Sequence, residues 1–457
     1  MNKNQRVKPI HFIPISFAVV ILVGAVLLMM PFSSAEFVET DFITALFTST
    51  TSVCVTGLVV VDTFAHWSVI GQIIIMILIQ IGGLGVVTVG ALVMYFAKMK
   101  FSLGSMVILE DSLNVDRKRE VGSFIFRVVR GVFIVEGIGA LIYCFELIPR
   151  LGFFHGLWAS IFQSVSAFCN AGMDIIGPNS MIDYNDSPVL MILTMVLIVL
   201  GGIGFVVWID VLDAIKEGIT KRFSPRTVIK RLSEHTKLVI VLTLALIVGG
   251  AICFFLAELN NPDTMGEMGI GTNILNCFFQ SVTLRTAGFV SVPQDKLTEL
   301  SCLIGCILMF IGGSPIGTAG GVKTVTFFLV IMNTISYITR RNESVIYKRR
   351  VTSERMRKAA AIVLVNIGIA MVMTILLLGT ATEDMSLTDA TYEVFSAVGT
   401  VGVTRGLTPN LNAVGRLIII LSMFLGRIGP ISMAIFFTSG NDESSKISHS
   451  EGNFYVG

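Results

Sequence analysis

The chain has 457 residues, of which 53% are hydrophobic and only 14% are charged. Soluble domains carry about 25% charged residues, so a soluble enzyme or a nucleic-acid binder is excluded and a polytopic membrane protein remains. The formal net charge of +2 points to no partner until it is placed along the chain.

Lys3, Arg6 and Lys8 precede an apolar run from Ile10 to Met30. That run is longer than a signal-peptide core of about 7–15 residues and has the length of a bilayer span, about 20 residues. It reads as an uncleaved first helix. An acidic connector, Pro31 to Asp41, leads to the apolar stretch Phe42–Ser49, too short to cross about 30 Å of hydrocarbon. It runs into Thr50-Thr51-Ser52-Val53-Cys54-Val55-Thr56-Gly57-Leu58, and a full span, Ser68–Ala97, follows.

The pattern then recurs three times. The second unit has a span Val121–Leu147, a half-span Leu157–Phe168, the loop Cys169-Asn170-Ala171-Gly172 and a span Pro188–Leu212. In the third, Leu238–Ala257 and Ile274–Val282 precede Arg285-Thr286-Ala287-Gly288. Its closing span, Leu300–Thr339, is interrupted by Gly312-Gly313-Ser314-Pro315-Ile316-Gly317-Thr318-Ala319-Gly320-Gly321-Val322-Lys323. The fourth has Ala359–Leu378, Ala390–Ala397, the loop Gly399-Thr400-Val401-Gly402 and the span Ala413–Phe437, which contains Gly426-Arg427-Ile428-Gly429-Pro430. The units divide as 1–97, 98–215, 216–339 and 340–438, with a tail at 439–457.

Spacing carries the case for a repeat. Gly57, Gly172, Gly288 and Gly402 are 115, 116 and 114 residues apart. Gly82, Gly201, Gly312 and Gly426 follow them by 25, 29, 24 and 24 residues. Self-similarity at a fixed period identifies a repeat architecture. The expected fold is an all-α membrane protein of four tandem span–half-span–span units, with eight spans and four re-entrant helices around a pseudo-fourfold axis. Of the 33 Lys and Arg residues, 26 lie in the N-terminus, the loops between units with their helix ends, and the tail. The connectors around the half-spans are mostly acidic. Positive charge marks the cytoplasmic side, so both termini are expected inside and the half-spans enter from outside.

Four glycine-bearing loops in equivalent units can stack their carbonyls into rings that replace a cation's hydration shell. Backbone that leaves a helix at membrane depth must line a cavity or be buried in protein. The candidate filter is Cys54-Val55-Thr56-Gly57, Cys169-Asn170-Ala171-Gly172, Arg285-Thr286-Ala287-Gly288 and Gly399-Thr400-Val401-Gly402. The break at 312–323 ends Gly-Gly-Val-Lys-Thr, but a phosphate loop needs glycine directly before the lysine and a strand ahead of it; no nucleotide site is expected. Arg427 is costly in hydrocarbon and should face the interior, either bonded to backbone carbonyls or as an electrostatic barrier below the filter. Lys323 belongs to the loop or flanks it. Arg285 should point away from the axis and pair with a buried acid, with Glu136, Glu393 and Glu146 as candidates. The seven cysteines lack zinc or redox spacing and read as small buried hydrophobes, and the five histidines are scattered.

These repeats resemble the Trk/Ktr/HKT superfamily of cation transporters. The resemblance rests on Val55-Thr56-Gly57-Leu58, Thr286-Ala287-Gly288-Phe289, Thr400-Val401-Gly402, the glycine-rich break and Gly426-Arg427-Ile428-Gly429-Pro430, and covers nearly the whole chain. It looks most like the membrane subunit of KtrB type. The resemblance implies potassium uptake through a filter with one glycine per unit, K+ as the transported ion, and Na+ as a possible activator. Serine in place of the first glycine accompanies sodium permeation in plant relatives, so Gly57 points to potassium. Gly312, Gly313, Ser314, Pro315, Gly317, Thr318, Ala319, Gly320, Gly321 and Lys323 map to an intramembrane gate, with Arg427 beside it. A homodimer in the bacterial inner membrane, on a cytoplasmic nucleotide-binding ring of RCK type, is implied as well, and the lipid bilayer surrounds it. The ring would be a separate subunit, because the last span is followed by about twenty residues. A potassium/sodium-permeable protein or a sodium-coupled secondary transporter is the alternative. Alternating access favours inverted repeats, whereas these units all start and end on one side. No paired catalytic constellation suggests an enzyme.

Overall fold

The computed structural model describes residues 9–86, 88, 121–340, 343–347, 349–380 and 385–429. The basic loop between the first two units at 98–120, the tail at 439–457, Pro430, and the ends of the closing spans of the first and fourth units lie outside the described residues. Each unit contributes an outer helix, a short helix and an inner helix. The first unit has α1 (Pro9–Met29), α2 (Phe42–Cys54), a single turn α3 (Thr63–His66) and α4 (Val69–Leu84). The second has α5 (Val121–Leu151), α6 (Phe153–Cys169), α7 (Pro188–Gly202) and α8 (Phe205–Thr220), with α9 (Pro225–Arg231) leading to the third. The third has α10 (Glu234–Glu258), α11 (Ile270–Thr283), α12 (Glu299–Phe310) and α13 (Thr324–Ile338). A small hairpin, β1 (Val345–Ile346) with β2 (Arg349–Arg350), precedes the fourth, which has α14 (Ser353–Gly379), α15 (Leu387–Gly399) and α16 (Ala413–Ile428). This is an all-α polytopic membrane fold. The outer helices over Phe124–Leu151, Glu234–Glu258 and Ser353–Gly379 are each long and apolar enough to cross a bilayer unaided.

Polar caps fix where the helices begin. Asp41 accepts from the amides of Ile43 and Thr44, and Ser68, Thr298, Ser386 and Asn412 each accept from an amide in the first turn that follows. Such caps satisfy amides that a helix start leaves unpaired, worth about 1 kcal/mol each. They are needed most where water is scarce.

The same serine ties three short helices to their outer helices. Ser49, Ser164 and Ser281 donate to the carbonyls of Ile21, Glu136 and Ile247, at 2.7, 2.7 and 2.8 Å. Gly24, Gly139 and Gly250 face those hydroxyls, and a Cβ at any of them would collide with the serine. Close approach over small residues with an interhelical hydrogen bond is how helices associate where lipid removes the hydrophobic drive. The fourth unit has Val394 at this register and packs without the bond.

Inner helices stitch neighbouring units together. α4 packs on α2 and on α6, α7 on α6 and on α11, α12 on α15, and α16 on α15 and on α2. The last contact joins the fourth unit to the first and closes the ring. Backbone of Gly82, Gly201 and Gly426 lies against the carbonyls of Val53, Phe168 and Val398, in the last turn of each unit's short helix.

One expectation about the closing spans is corrected, and the break expected in the third unit is present. The second unit's span does not run straight from Pro188 to Leu212; α7 and α8 meet at 99°. Three residues after Gly82, Gly201 and Gly426 stand Gly85, Gly204 and Gly429, with φ of 85°, 96° and 86°. That region is open to glycine and costs other residues about 1–2 kcal/mol, so α4, α7 and α16 end just before these glycines. In the third unit the register holds Pro315, and the chain leaves helical geometry from Ile311 to Lys323.

Candidate functional site: a ring of four glycines above a loop

The short helices α2, α6 and α15 end at Cys54, Cys169 and Gly399, so the first residue of each expected loop segment belongs to the last helical turn. The next residue, Val55, Asn170 or Thr400, is left-handed at φ 55°, 62° and 51°. Thr286 is equivalent at φ 69°. Two residues on come Gly57, Gly172, Gly288 and Gly402, at φ 102°, 65°, 89° and 96°.

These glycines meet around one axis. A Cβ on Gly57 would lie 2.6 Å from the carbonyl oxygen of Ala171, and one on Gly172 2.5 Å from that of Ala287. One on Gly288 would strike the carbonyl of Val401, and one on Gly402 the carbonyl of Thr56. Each glycine therefore abuts the carbonyl that precedes the glycine of the next unit, and the fourth returns to the first. Any side chain here would occupy the space of a neighbouring carbonyl.

Hydroxyls hold the strands. Thr51 accepts from Gly57 N at 2.9 Å and Ser396 accepts from Gly402 N at 3.0 Å. Ser166 donates to Met173 O, and Thr283 donates to Phe289 O at 2.6 Å. These four residues were not singled out from the sequence, although a hydroxyl five or six positions before each loop glycine was the available signal. The third unit is the odd one. α11 stops at Thr283 and residues 284–287 form a turn, so Arg285 is not helical as its counterparts are.

Above the ring is an open cavity of about 500 Å³ lined by all four glycines and by Asp62, Asp174 and Asp295. Ser180 donates to Asp174 at 2.5 Å. Burial, with a smaller push from the Asp62 charge, raises the Asp174 carboxyl to about 7 against the Ser180 hydroxyl. The buried hydroxyls of Thr56, Thr286 and Thr400 have no hydrogen-bond partner among the described residues.

The segment 311–323 crosses beneath the ring and meets the second and fourth units, while Arg427 links it to the first. Its base is pinned by Gly312 N to Val322 O at 2.9 Å and Thr324 N to Gly313 O at 3.0 Å. Ser314 N and Thr318 N donate to Gly202 O and Gly201 O of the second unit, at 2.9 and 3.1 Å. The carbonyl of Pro315 faces Gly204, and Gly317 lies against Gly201 and Gly204. Gly320 and Gly321 lie against Thr400 and Gly399 of the fourth unit. Arg427, also of the fourth unit, donates to Thr318 O and to Gly82 O of the first, both at 2.5 Å. Lys323 donates to Ala319 O at 2.6 Å, so it staples the segment internally and is no mere flank.

Arg285 corrects another expectation. It is buried, but no carboxylate reaches it among the described residues. Its Nη2 donates to the Thr324 hydroxyl at 3.4 Å, and its Nε has no partner. Glu136 is bonded to Gln80 at 3.3 Å, Glu146 lies 3.5 Å from Arg150, and Glu393 accepts from Thr404 at 2.8 Å and from Thr408. Each acid is committed elsewhere. The cysteines are free thiols, with Cys54, Cys169, Cys277, Cys302 and Cys306 buried as expected but Cys253 exposed and Cys144 between the two.

The comparisons fit this architecture. The TrkH family, described as "Cation transport protein", matches residues 10–447. The chain belongs to that family. It is 36% identical to Ktr system potassium uptake protein B of Bacillus subtilis over 100% of both chains. It is 35% identical to the protein of the same name from Vibrio alginolyticus, over 93% of this chain and 90% of that one. Potassium/sodium uptake protein NtpJ of Enterococcus hirae is 34% identical over 93% and 92%. In fold it resembles the crystal structure of the potassium transporter TrkH from Vibrio parahaemolyticus, with TM-score 0.75 and 14% identity over 95% of this chain and 86% of that one. The chain is a KtrB-type member of the Trk/Ktr superfamily, a transport protein and not an enzyme.

Proposed function

We propose that this chain takes potassium into the cell through the glycine ring, which acts as its selectivity filter. The observation that carries the reading is the closed ring of Gly57, Gly172, Gly288 and Gly402, each against the carbonyl preceding the next glycine. Carbonyl rings of this kind replace the water shell of a monovalent cation. Carboxylates at the mouth raise the local cation concentration. The short helices aim their C-terminal ends, which carry partial negative charge, toward the same axis.

The segment 311–323 is the gate in this reading, and Arg427 and Lys323 hold it shut beneath the ring. Both donate to carbonyls of the segment, so moving it costs those bonds. The names of the Ktr relatives support a multi-component system. A homodimer with a cytoplasmic nucleotide-binding ring as regulator is the assembly we expect, with both termini on the cytoplasmic side of the inner membrane. Sodium as an activator is compatible with the name of NtpJ.

A less strict filter, passing sodium as well, is favoured by one observation: the third strand is reached by a tight turn and not by a helix end, which breaks the fourfold symmetry. The deciding experiment is uptake of rubidium, potassium and sodium by proteoliposomes. Selective rubidium and potassium uptake, lost on filling the ring at Gly288, supports the filter. Equal uptake of all three ions overturns a potassium-selective assignment.

A further inference from the structure

We propose that a small cavity beside Arg285 binds a monovalent anion of the halide class. Three groups around the loop base carry positive charge: Arg285, Lys323 and Arg427. Among the described residues none of them lies within ion-pair distance of a carboxylate. Lys323 and Arg427 donate to carbonyls at 2.5–2.6 Å. Arg285 has only the long bond to the Thr324 hydroxyl, which itself donates to Gly312 O at 2.8 Å.

The position makes that shortage costly. Arg285 is 8% exposed, and a buried charge without a hydrogen-bonded counter-charge is disfavoured. Its Nη2 lies at Thr324, the first residue of the fifteen-residue helix α13. A helix N-terminus repels a cation and attracts an anion. The guanidinium and the helix end thus sum to a positive site.

The cavity beside them has a volume of about 20 Å³; Arg285 and Thr243 are the polar side chains among its lining residues, the rest being glycines and aliphatic residues such as Ile198, Ile203 and Ile247. The Thr243 hydroxyl, 5% exposed, also has no partner among the described residues. The cavity exceeds the about 10–15 Å³ that one water needs, so it has room for a single small occupant and none for sulfate or phosphate. Arg285 and Thr243 both line this cavity, and the guanidinium Nε and the hydroxyl, neither with a partner among the described residues, can each donate to an acceptor held there. Because Arg285 precedes Gly288 by three residues and touches the foot of the loop, the bound anion would tie the third strand to the loop base.

The test uses the full chain in detergent. Thermal unfolding is followed in potassium chloride, bromide and gluconate at equal ionic strength. A halide-specific rise of roughly 2–4 °C over gluconate is expected for a well-occupied site. Thr243→Val should shrink that rise and Arg285→Gln abolish it. Equal midpoints in the three salts would overturn the proposal, as would a halide effect undiminished in Thr243→Val, a variant that keeps the test valid should Arg285→Gln not fold. Anomalous diffraction from bromide-grown crystals should show a peak in this cavity; density fitted by water alone, with no bromide signal, rejects the site.

Discussion

Arg427 donates to the carbonyl of Thr318, joining the last inner helix to the loop beneath the ring at 2.5 Å. Its other arm reaches Gly82 O in the first unit at the same distance. One guanidinium therefore clamps the loop to the seam where the fourth unit meets the first. Bonds from a charged donor contribute about 1.5–3 kcal/mol each, and 1.4 kcal/mol is a factor of ten in an equilibrium. Arg427→Ala should raise potassium flux in liposomes without a cytoplasmic partner by roughly tenfold or more. An unchanged rate would make Arg427 a purely structural residue.

Gly320 lies against Thr400, and a Cβ on it would strike the threonine hydroxyl. Gly320→Ala should push the loop away from the fourth strand and increase flux. Pairing it with Thr400→Ala removes the obstructing atoms and should bring the rate back toward that of Thr400→Ala alone. Additive rates in the double variant would show that the two residues do not meet.

Gly57 carries φ 102°, and its missing Cβ faces Ala171 O at 2.6 Å. Gly57→Ser strains the backbone by about 1–2 kcal/mol and pushes on a ring carbonyl. The rubidium-to-sodium uptake ratio should fall several-fold. A ratio equal to that of the unaltered protein would remove Gly57 from the filter.

Asp174 titrates near 7 because burial and the Asp62 charge oppose its ionisation. The sign follows from its ordinary value of 3.8. Between pH 4 and 7 the folded state holds a proton that the unfolded state has lost, so this group's contribution to stability falls as pH rises through that window. For transport the effect is opposite: the mouth gains negative charge above pH 7. The apparent KM for potassium should drop two- to three-fold from pH 6 to 8, as expected of one added charge at a mouth. Asp174→Asn should flatten that dependence; a mutant profile parallel to the parent's would place the titration elsewhere.

Much of this architecture was legible because repetition is written in one dimension. The spacing of Gly57, Gly172, Gly288 and Gly402 and the short apolar runs before them mark the four units and their short helices. Helix ends were less legible. Three short helices run on to Cys54, Cys169 and Gly399, since only the left-handed residue that follows ends them, and Val55 or Thr400 carries no local signal for that conformation. Arg285 was misjudged because its partner depends on which acids are already bonded. Glu393 is taken by Thr404 and Thr408, and Glu136 by Gln80.

The sequence by itself determined the membrane class, the fourfold repeat, the position of each loop glycine and the break at 312–323, because composition and period survive without three-dimensional context. Only the tertiary structure decided that Gly402 abuts Thr56 and closes the ring, that the second unit's inner helix turns by 99° at Gly204, and that the 311–323 segment meets the second and fourth units and, through Arg427, is tied to the first. Those are contacts between residues up to about 350 positions apart. They depend on how inner helices pack on neighbouring units, and no local pattern of residues encodes that.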